Sequence, residues 1–408
     1  MPGSLMLVLP VPVFRCDGRL WFDTQACNGL RLWLAHFDHV TLITPEGPVD
    51  IPPEGTSDLL ATVPSPALDV RPLPMAYTPL AFARAVRPAA RLLTEVMTRS
   101  TYLHFAIGGF WGDWGALAGL IAARKGRRWA VWTDRVESKV MAASARRRSG
   151  LRRIYGHGLA TGAALLERAA IRRANLGLFH GMDTFREYAP LNAHAELVHD
   201  VHLGPEYRIA LDMLAAKIAR ARSGAPLRIL YGGRAHPDKG LIDWIEAISH
   251  VRDRGVRFEA VWWGDGPDLE AGRALVRARD LEATVSLPGA TQDRPRLMAA
   301  FRDADMFAFC HKTAESPRCL VEALLGGTPI IGYDRAYPRD LIAVHGGGRL
   351  TPANPLALAE AVVALDRDRA LLADLIGRAA QDGRPLVDEE VFRHRAELMY
   401  RIPNDPGS

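Results

Sequence analysis

The stretch Glu315-Ser316-Pro317-Arg318-Cys319-Leu320-Val321-Glu322-Ala323-Leu324-Leu325-Gly326-Gly327-Thr328-Pro329-Ile330-Ile331-Gly332 reads as helix, glycine stop and strand in immediate succession. Ser316 is a residue type that caps a helix, and Pro317 suits a first helical position, so the spacing predicts a helix over 317–325. Gly326 and Gly327 end it, and the apolar run 329–333 reads as a strand buried on both faces. A second apolar run, 306–310, stands just upstream. Strands without polar alternation, separated by helices, belong to a parallel sheet covered on both sides.

Working outward, the same alternation fills the C-terminal half. Strands are predicted at 227–231, 258–263 and 284–287, and helices at 239–251, 269–279, 296–302 and 355–365. Toward the N-terminus, strands are predicted at 5–9, 40–44, 101–107, 129–133 and 176–180. A helix over 114–124 follows the glycine cluster Gly108-Gly109-Phe110-Trp111-Gly112. The proline-rich segment 45–79 reads as irregular surface connection. A polar-faced helix over 206–222 ends at Ser223-Gly224-Ala225-Pro226, a turn-rich break. The predicted organisation is an N-terminal Rossmann-like domain over 1–205, a linker over 206–226 and a second domain over 227–385. A final helix is expected in 386–408. The fold class expected is α/β, with doubly wound Rossmann-like domains.

The chain has 408 residues, 48% of them hydrophobic and 24% charged, which suits two folded domains and excludes a disordered chain. A formal net charge of +5 gives no reason to expect nucleic acid as a partner. Cys16, Cys27, Cys310 and Cys319 lack CxxC or Cys/His spacing, so neither a disulfide scaffold nor a structural metal is expected. The first ten residues are apolar but lack a basic start, and Pro10 and Pro12 interrupt them, unlike a signal peptide. No run is apolar for long enough to span a bilayer, so the cytoplasm is the expected compartment.

In a doubly wound sheet the loops after the strands carry the chemistry. The first informative loop is Tyr231-Gly232-Gly233-Arg234-Ala235-His236-Pro237-Asp238-Lys239-Gly240. Its glycines let the backbone approach a ligand, and Arg234 and Lys239 add positive charge beside a helix start that suits phosphate. The second, Gly264-Asp265-Gly266-Pro267, is turn chemistry after another strand. In the third, Glu322 sits among apolar helical residues. Its carboxylate either faces water or needs a partner, and a pair of sugar hydroxyls would serve.

In order and spacing, these three blocks resemble the C-terminal domain of the GT-B glycosyltransferases, in particular family four of the retaining enzymes, the group one glycosyl transferases. The matching residues are Gly233, Arg234, Lys239 and Gly240, then Gly264, Gly266 and Pro267, then Glu315, Glu322, Gly327, Thr328 and Pro329. The resemblance implies two facing doubly wound domains with an interdomain cleft, and a final helix that returns to the first domain. It implies transfer of a sugar, with retention, from a nucleotide-diphosphate donor to a glycan, lipid-linked or small-molecule acceptor. No protein-bound metal or cofactor is expected in that chemistry. Arg234 and Lys239 are implied on the diphosphate and Glu322 on the ribose. The backbone N–H groups of Arg318, Cys319 and Leu320 are implied as further diphosphate donors.

The chain departs from the family in one place: six residues separate Glu315 from Glu322, where the family has seven. The shorter loop leaves either Glu315 or one of His311, Lys312 and Thr313 against the donor sugar. On the acceptor side Asp134 stands where the family often has a His, and reads either as a site residue or as a helix N-cap. His180 ends a strand beside the expected cleft. His104 reads as packed structure, and His199-Asp200-Val201-His202 as a structural cluster before the linker. Gly18, beside Asp17, is a candidate for close backbone approach to the donor in the loop after the first strand. The same architecture also serves non-hydrolysing nucleotide-sugar epimerases and catalytically silent GT-B subunits, which stay open as rival readings. Lys139, Arg146, Arg147, Arg148, Arg152 and Arg153 form a basic run interleaved with apolar residues. It reads either as a solvated face or as a patch that holds the protein peripherally on the anionic inner face of a membrane.

Overall fold

The computed structural model describes residues 3–291, 293–313 and 316–402, and the chain divides into two units, Met1–His202 with Asp388–Ser408, and Leu203–Val387. In the first, strands β1 (Ser4–Val8), β2 (Val13–Cys16), β3 (Arg19–Asp23), β4 (His39–Pro48), β5 (Thr56–Asp58), β6 (Leu68–Pro74), β7 (Tyr102–Ala106), β8 (Ala130–Thr133), β9 (Leu176–His180) and β10 (Ala195–Val198) form one sheet. Helices α1 (Thr24–Leu34), α2 (Leu59–Thr62), α3 (Pro79–Arg99), α4 (Trp114–Arg124), α5 (Glu137–Arg146), α6 (Gly150–Arg173) and α7 (Gly181–Tyr188) connect them. The parallel order β10-β9-β8-β7-β1-β4, with β6 on β4, reverses direction between β1 and β7. That reversal is where a doubly wound sheet opens a crevice at the carboxyl ends of its strands.

The segment 45–79 corrects the sequence reading. It completes β4 and supplies β5, α2 and β6 rather than an irregular connection. Pro72 and Pro74 are tolerated in β6, which lies at the sheet margin against β4. Asp17 and Gly18 both have positive φ, 48° and 75°, and form the two-residue turn between the antiparallel β2 and β3.

The second unit is a six-stranded parallel sheet of β11 (Leu227–Gly232), β12 (Phe258–Trp263), β13 (Val285–Gly289), β14 (Met306–Phe309), β15 (Ile330–Tyr333) and β16 (Gly348–Thr351). Its order, β13-β12-β11-β14-β15-β16, again reverses beside the first strand, between β11 and β14. The helices are α8 (Leu211–Arg222), α9 (Leu241–Asp253), α10 (Leu269–Ala278), α11 (Arg294–Asp303), α12 (Arg318–Leu325), α13 (Ala336–Leu341), α14 (Pro355–Arg367) and α15 (Arg369–Gly383). Tyr231, Trp244, Trp262, Phe301 and Phe307 are fully buried around β11 and fix its position. Helix α16 (Asp388–Tyr400) packs on α1 within the first unit, its Phe392 edge-on to Trp33 at 5.2 Å.

Candidate functional site

Two loops of the second unit that look independent in sequence are stitched together. Gly233 N–H donates to the Trp263 carbonyl and Ala235 N–H to that of Asp265, each at 2.8 Å. Gly264, at φ 153°, lies so close that a Cβ there would sit 1.8 Å from the Gly233 oxygen. No other residue fits that contact. The loop after β11 is joined as closely to the segment after β14. Lys312 N–H donates to the Asp238 carbonyl at 2.9 Å, and a Cβ on Gly240 would meet the Cys310 oxygen at 2.4 Å. The loops therefore form one surface at the carboxyl ends of β11, β12 and β14.

Arg234 is exposed on this surface and has no carboxylate partner among the described residues, while Lys239 is half-buried in the turn Pro237–Lys239. Tyr231 Oη and His311 Nε2 share a short hydrogen bond beneath them, with the tyrosine ring stacked on Trp262 at 3.7 Å. Lys312 places its ammonium 2.7 Å from Asp243. His311 is wholly buried, whereas Thr313 is exposed. Glu315 lies outside the described residues.

Helix α12 starts one residue later than the sequence suggests. Pro317 is its N-cap, no side chain caps it, and Ser316 stands outside it. Leu320 N–H is used by the Pro317 carbonyl at 3.2 Å, so it is not available to a ligand as the sequence reading had it. Gly233 N–H is engaged in the same way. Glu322 does not face water: it is 4% exposed, and its Oε1 accepts from Arg294 Nη2 at 2.8 Å. Arg294 opens α11, directly after β13, and lies over the Tyr207 ring at 5.7 Å. Sequence reasoning missed this cation, because nothing local to Asp293-Arg294-Pro295 points to a carboxylate 28 residues away. Only Oε1 is engaged. Oε2 has no hydrogen bond to any described residue.

In the first unit a cavity of about 620 Å³ opens at the switch point. Leu9, Pro10 and Val11 after β1, Gly108, Gly109, Trp111 and Gly112 after β7, and Thr133, Asp134 and Arg135 at the end of β8 line it, together with Asp200, His202 and Arg395. Asp113 holds the glycine loop, accepting from Gly108 and Ala116 N–H at 3.0 and 2.8 Å, and burial pushes its carboxyl up to about 6. Asp134 is exposed on the cavity wall and is not an N-cap, which is Val136. Arg395, from α16, is buried at 3.2 Å from Asp200 and lies over the rings of Trp33, Trp132 and Phe392. Its charge helps hold the Asp200 carboxyl well below the usual range. His180 accepts the Asp200 N–H at 2.9 Å and is absent from the cavity wall. Gly18 is at the exposed tip of the β2–β3 hairpin rather than in the loop directly after β1.

The sequence contains two Asp-x-Asp runs, a pattern that bears on the metal-free expectation. Both are structural here. In Asp303-Ala304-Asp305, Asp305 is buried and accepts from Arg220 at 2.7 Å and from Arg228 N–H at 2.8 Å. In Asp366-Arg367-Asp368, Asp366 pairs with Arg369 and Asp368 caps α15 through Leu371 N–H at 2.9 Å.

Residues 216–382, which contain all three loops, match the family described as glycosyl transferases group 1. Within the second unit, this segment is similar to that family. Among its relatives, WcaL of Escherichia coli (strain K12), whose name assigns it to colanic acid biosynthesis, is 27% identical over 284 residues, 61% of this chain and 69% of that one. EpsF of Bacillus subtilis (strain 168) carries a glycosyltransferase name and is 30% identical over 192 residues, 47% of this chain and 46% of that one. Solved glycosyltransferases share the fold along nearly the whole chain. Anabaena HepE in complex with UDP has TM-score 0.65 at 14% identity, covering 98% of this chain and 100% of that one. WaaG, a glycosyltransferase of lipopolysaccharide biosynthesis, has TM-score 0.58 at 13% identity, covering 97% and 99%. The chain thus has the GT-B fold of two Rossmann-like domains.

Proposed function

We propose that the chain transfers a sugar, with retention of anomeric configuration, from a nucleotide-diphosphate donor to an acceptor of polysaccharide assembly. The observation that carries this is the single surface made by the loops after β11, β12 and β14, with exposed Arg234 on it and the buried Glu322 nearby. Arg234 and Lys239 bear on the diphosphate, where negative charge grows as the glycosidic bond breaks and fixed cations act most strongly. Arg294 orients the Glu322 carboxylate, and Oε2 accepts from the ribose hydroxyls. Backbone N–H groups at Arg318 and Cys319 add to the diphosphate site, and Glu315 or Thr313 meets the donor sugar. Structures of this fold that hold UDP and UDP-glucose support a nucleotide sugar as donor.

The acceptor side belongs to the first unit, where Asp134 stands on the cavity wall with Trp111 and Trp132 as apolar surfaces. Relatives named for colanic and teichuronic acid biosynthesis support a glycan or lipid-linked acceptor. Among the described residues no helix is long and apolar enough to cross a membrane. Peripheral contact is the proposal instead. Leu151 and Ile154 are 83% and 70% exposed at the start of α6, among Arg146, Arg147, Arg148, Arg152 and Arg153. Lys139 is taken out of that patch by its ion pair with Glu187 at 2.6 Å.

Product analysis with a panel of nucleotide sugars tests the reading. Transfer, or slow donor hydrolysis with release of nucleoside diphosphate, is expected. An epimerised donor, or no turnover of any donor, contradicts it.

A further inference from the structure

Arg15, Arg71, Arg135, Arg220, Arg273, Arg279, Arg294, Arg369, Arg393 and Arg395 each contact a carboxylate. One groove gathers five arginines with no acidic side chain on its wall. About 870 Å³ in volume, it is lined by Arg124, Arg127, Arg128, Arg172 and Arg173 and by no acidic residue. Arg124, Arg127, Arg172 and Arg173 have no carboxylate partner among the described residues. The floor is apolar, formed by Leu120, Ala123 and Ala169. Three of the five are pre-set by the backbone, Arg128 donating to the Ile402 carbonyl at 3.3 Å. Arg127 donates to the Met97 and Ser100 carbonyls at 2.7 and 2.6 Å, and Arg173 to that of Ala169 at 2.8 Å.

Helix α4 ends at Arg124 and α6 at Arg173, so part of the positive charge offsets helix C-termini. Arg127 likewise donates to carbonyls at the end of α3. Each terminus is worth roughly half a negative charge, about one and a half units for the three, against the four arginines without a carboxylate partner. Most of the charge is left without compensation, and crowded like charges beside an apolar floor are costly. The groove also lies at the opposite end of the sheet from the cavity. It is formed where α4 leads into β8 and α6 into β9, whereas the cavity follows the carboxyl ends of β7 and β8.

We propose that this groove is a second anion site, which takes a small ligand bearing two or more phosphate groups. Guanidinium forks match phosphate oxygens in pairs, and the volume exceeds what one phosphate fills. Its concavity favours a small ligand over a flat bilayer surface. The site is separate from the donor loops and does not depend on their assignment.

Calorimetry with inorganic pyrophosphate at low salt tests it, in a background of Arg234→Ala and Lys239→Ala that weakens the donor loop. That background protein is expected to bind pyrophosphate, and adding Arg124→Gln and Arg172→Gln is expected to weaken binding at least tenfold. Both arginines are exposed, so the melting temperature is expected to hold. In an otherwise native chain the Arg124→Gln/Arg172→Gln pair leaves sugar transfer in the absence of ligand unchanged. Undiminished pyrophosphate binding after the two Gln substitutions overturns the proposal, as does absence of binding in the background protein. Binding only to phosphatidylglycerol vesicles, with none to pyrophosphate, overturns it too.

Discussion

Glu322 and Arg294 form a buried ion pair that ties the helix after β14 to the helix after β13, with Nη2 2.8 Å from Oε1. The pair explains how a carboxylate is held among apolar residues without a ligand. Breaking such a pair by removing one partner costs more than the pair contributes, because the other charge is left buried.

Glu322→Ala is therefore expected to lose nucleotide affinity by roughly 10- to 150-fold, the equivalent of about 1.5–3 kcal/mol for a charged hydrogen-bond partner. Arg294→Met leaves the carboxylate in place but unpaired, and is expected to lower the melting temperature as well as affinity. Calorimetry and thermal melts on both variants check this. Unchanged binding in a folded Glu322→Ala removes Glu322 from the ribose.

Arg234→Ala and Lys239→Ala should lower kcat more than they raise KM, since the diphosphate gains charge in the transition state. Steady-state kinetics separate the two parameters. An effect confined to KM would mean that the cations bind ground state and transition state alike.

Lys217 gives a pH dependence of stability. It is buried, donates to the Gly326 carbonyl at 2.9 Å and to Thr328 Oγ1 at 2.6 Å, and desolvation brings its ammonium down to about 7 from 10.5. Between these values the unfolded chain binds this proton and the folded chain does not. Stability from this group thus rises from pH 7 to 10.5, and its cost is fully present below 7. The melting temperature of the wild type relative to Lys217→Met should rise across pH 7–10. Parallel curves would contradict it.

If the start of α6 meets a membrane, the protein should sediment with phosphatidylglycerol vesicles at low salt, and less at high salt. Arg146, Arg147 and Arg148 changed together to Glu should abolish that sedimentation. Equal sedimentation with neutral vesicles would make the run a solvated face.

What the sequence shows follows from where burial is continuous. β14 and β15 are buried along their whole length and β11 nearly so, and they read as apolar runs that were legible within a residue or two. β5 and β6 were not, because marginal strands tolerate proline and charge and so resemble loops. Gly18 carried the right signal for a different structure: Asp-Gly between extended segments is a hairpin turn. The three site blocks were legible one at a time, but their joining was not. The Gly233–Trp263 hydrogen bond and the Arg294–Glu322 pair are long-range, and no local pattern encodes them.

The anomeric configuration of the first product bears most directly on the proposed reaction. Proton NMR during turnover, with a donor that is processed, records the sugar before it mutarotates. The account predicts that the transferred or released sugar first appears with the donor's own anomeric configuration. First appearance of the opposite anomer would contradict it.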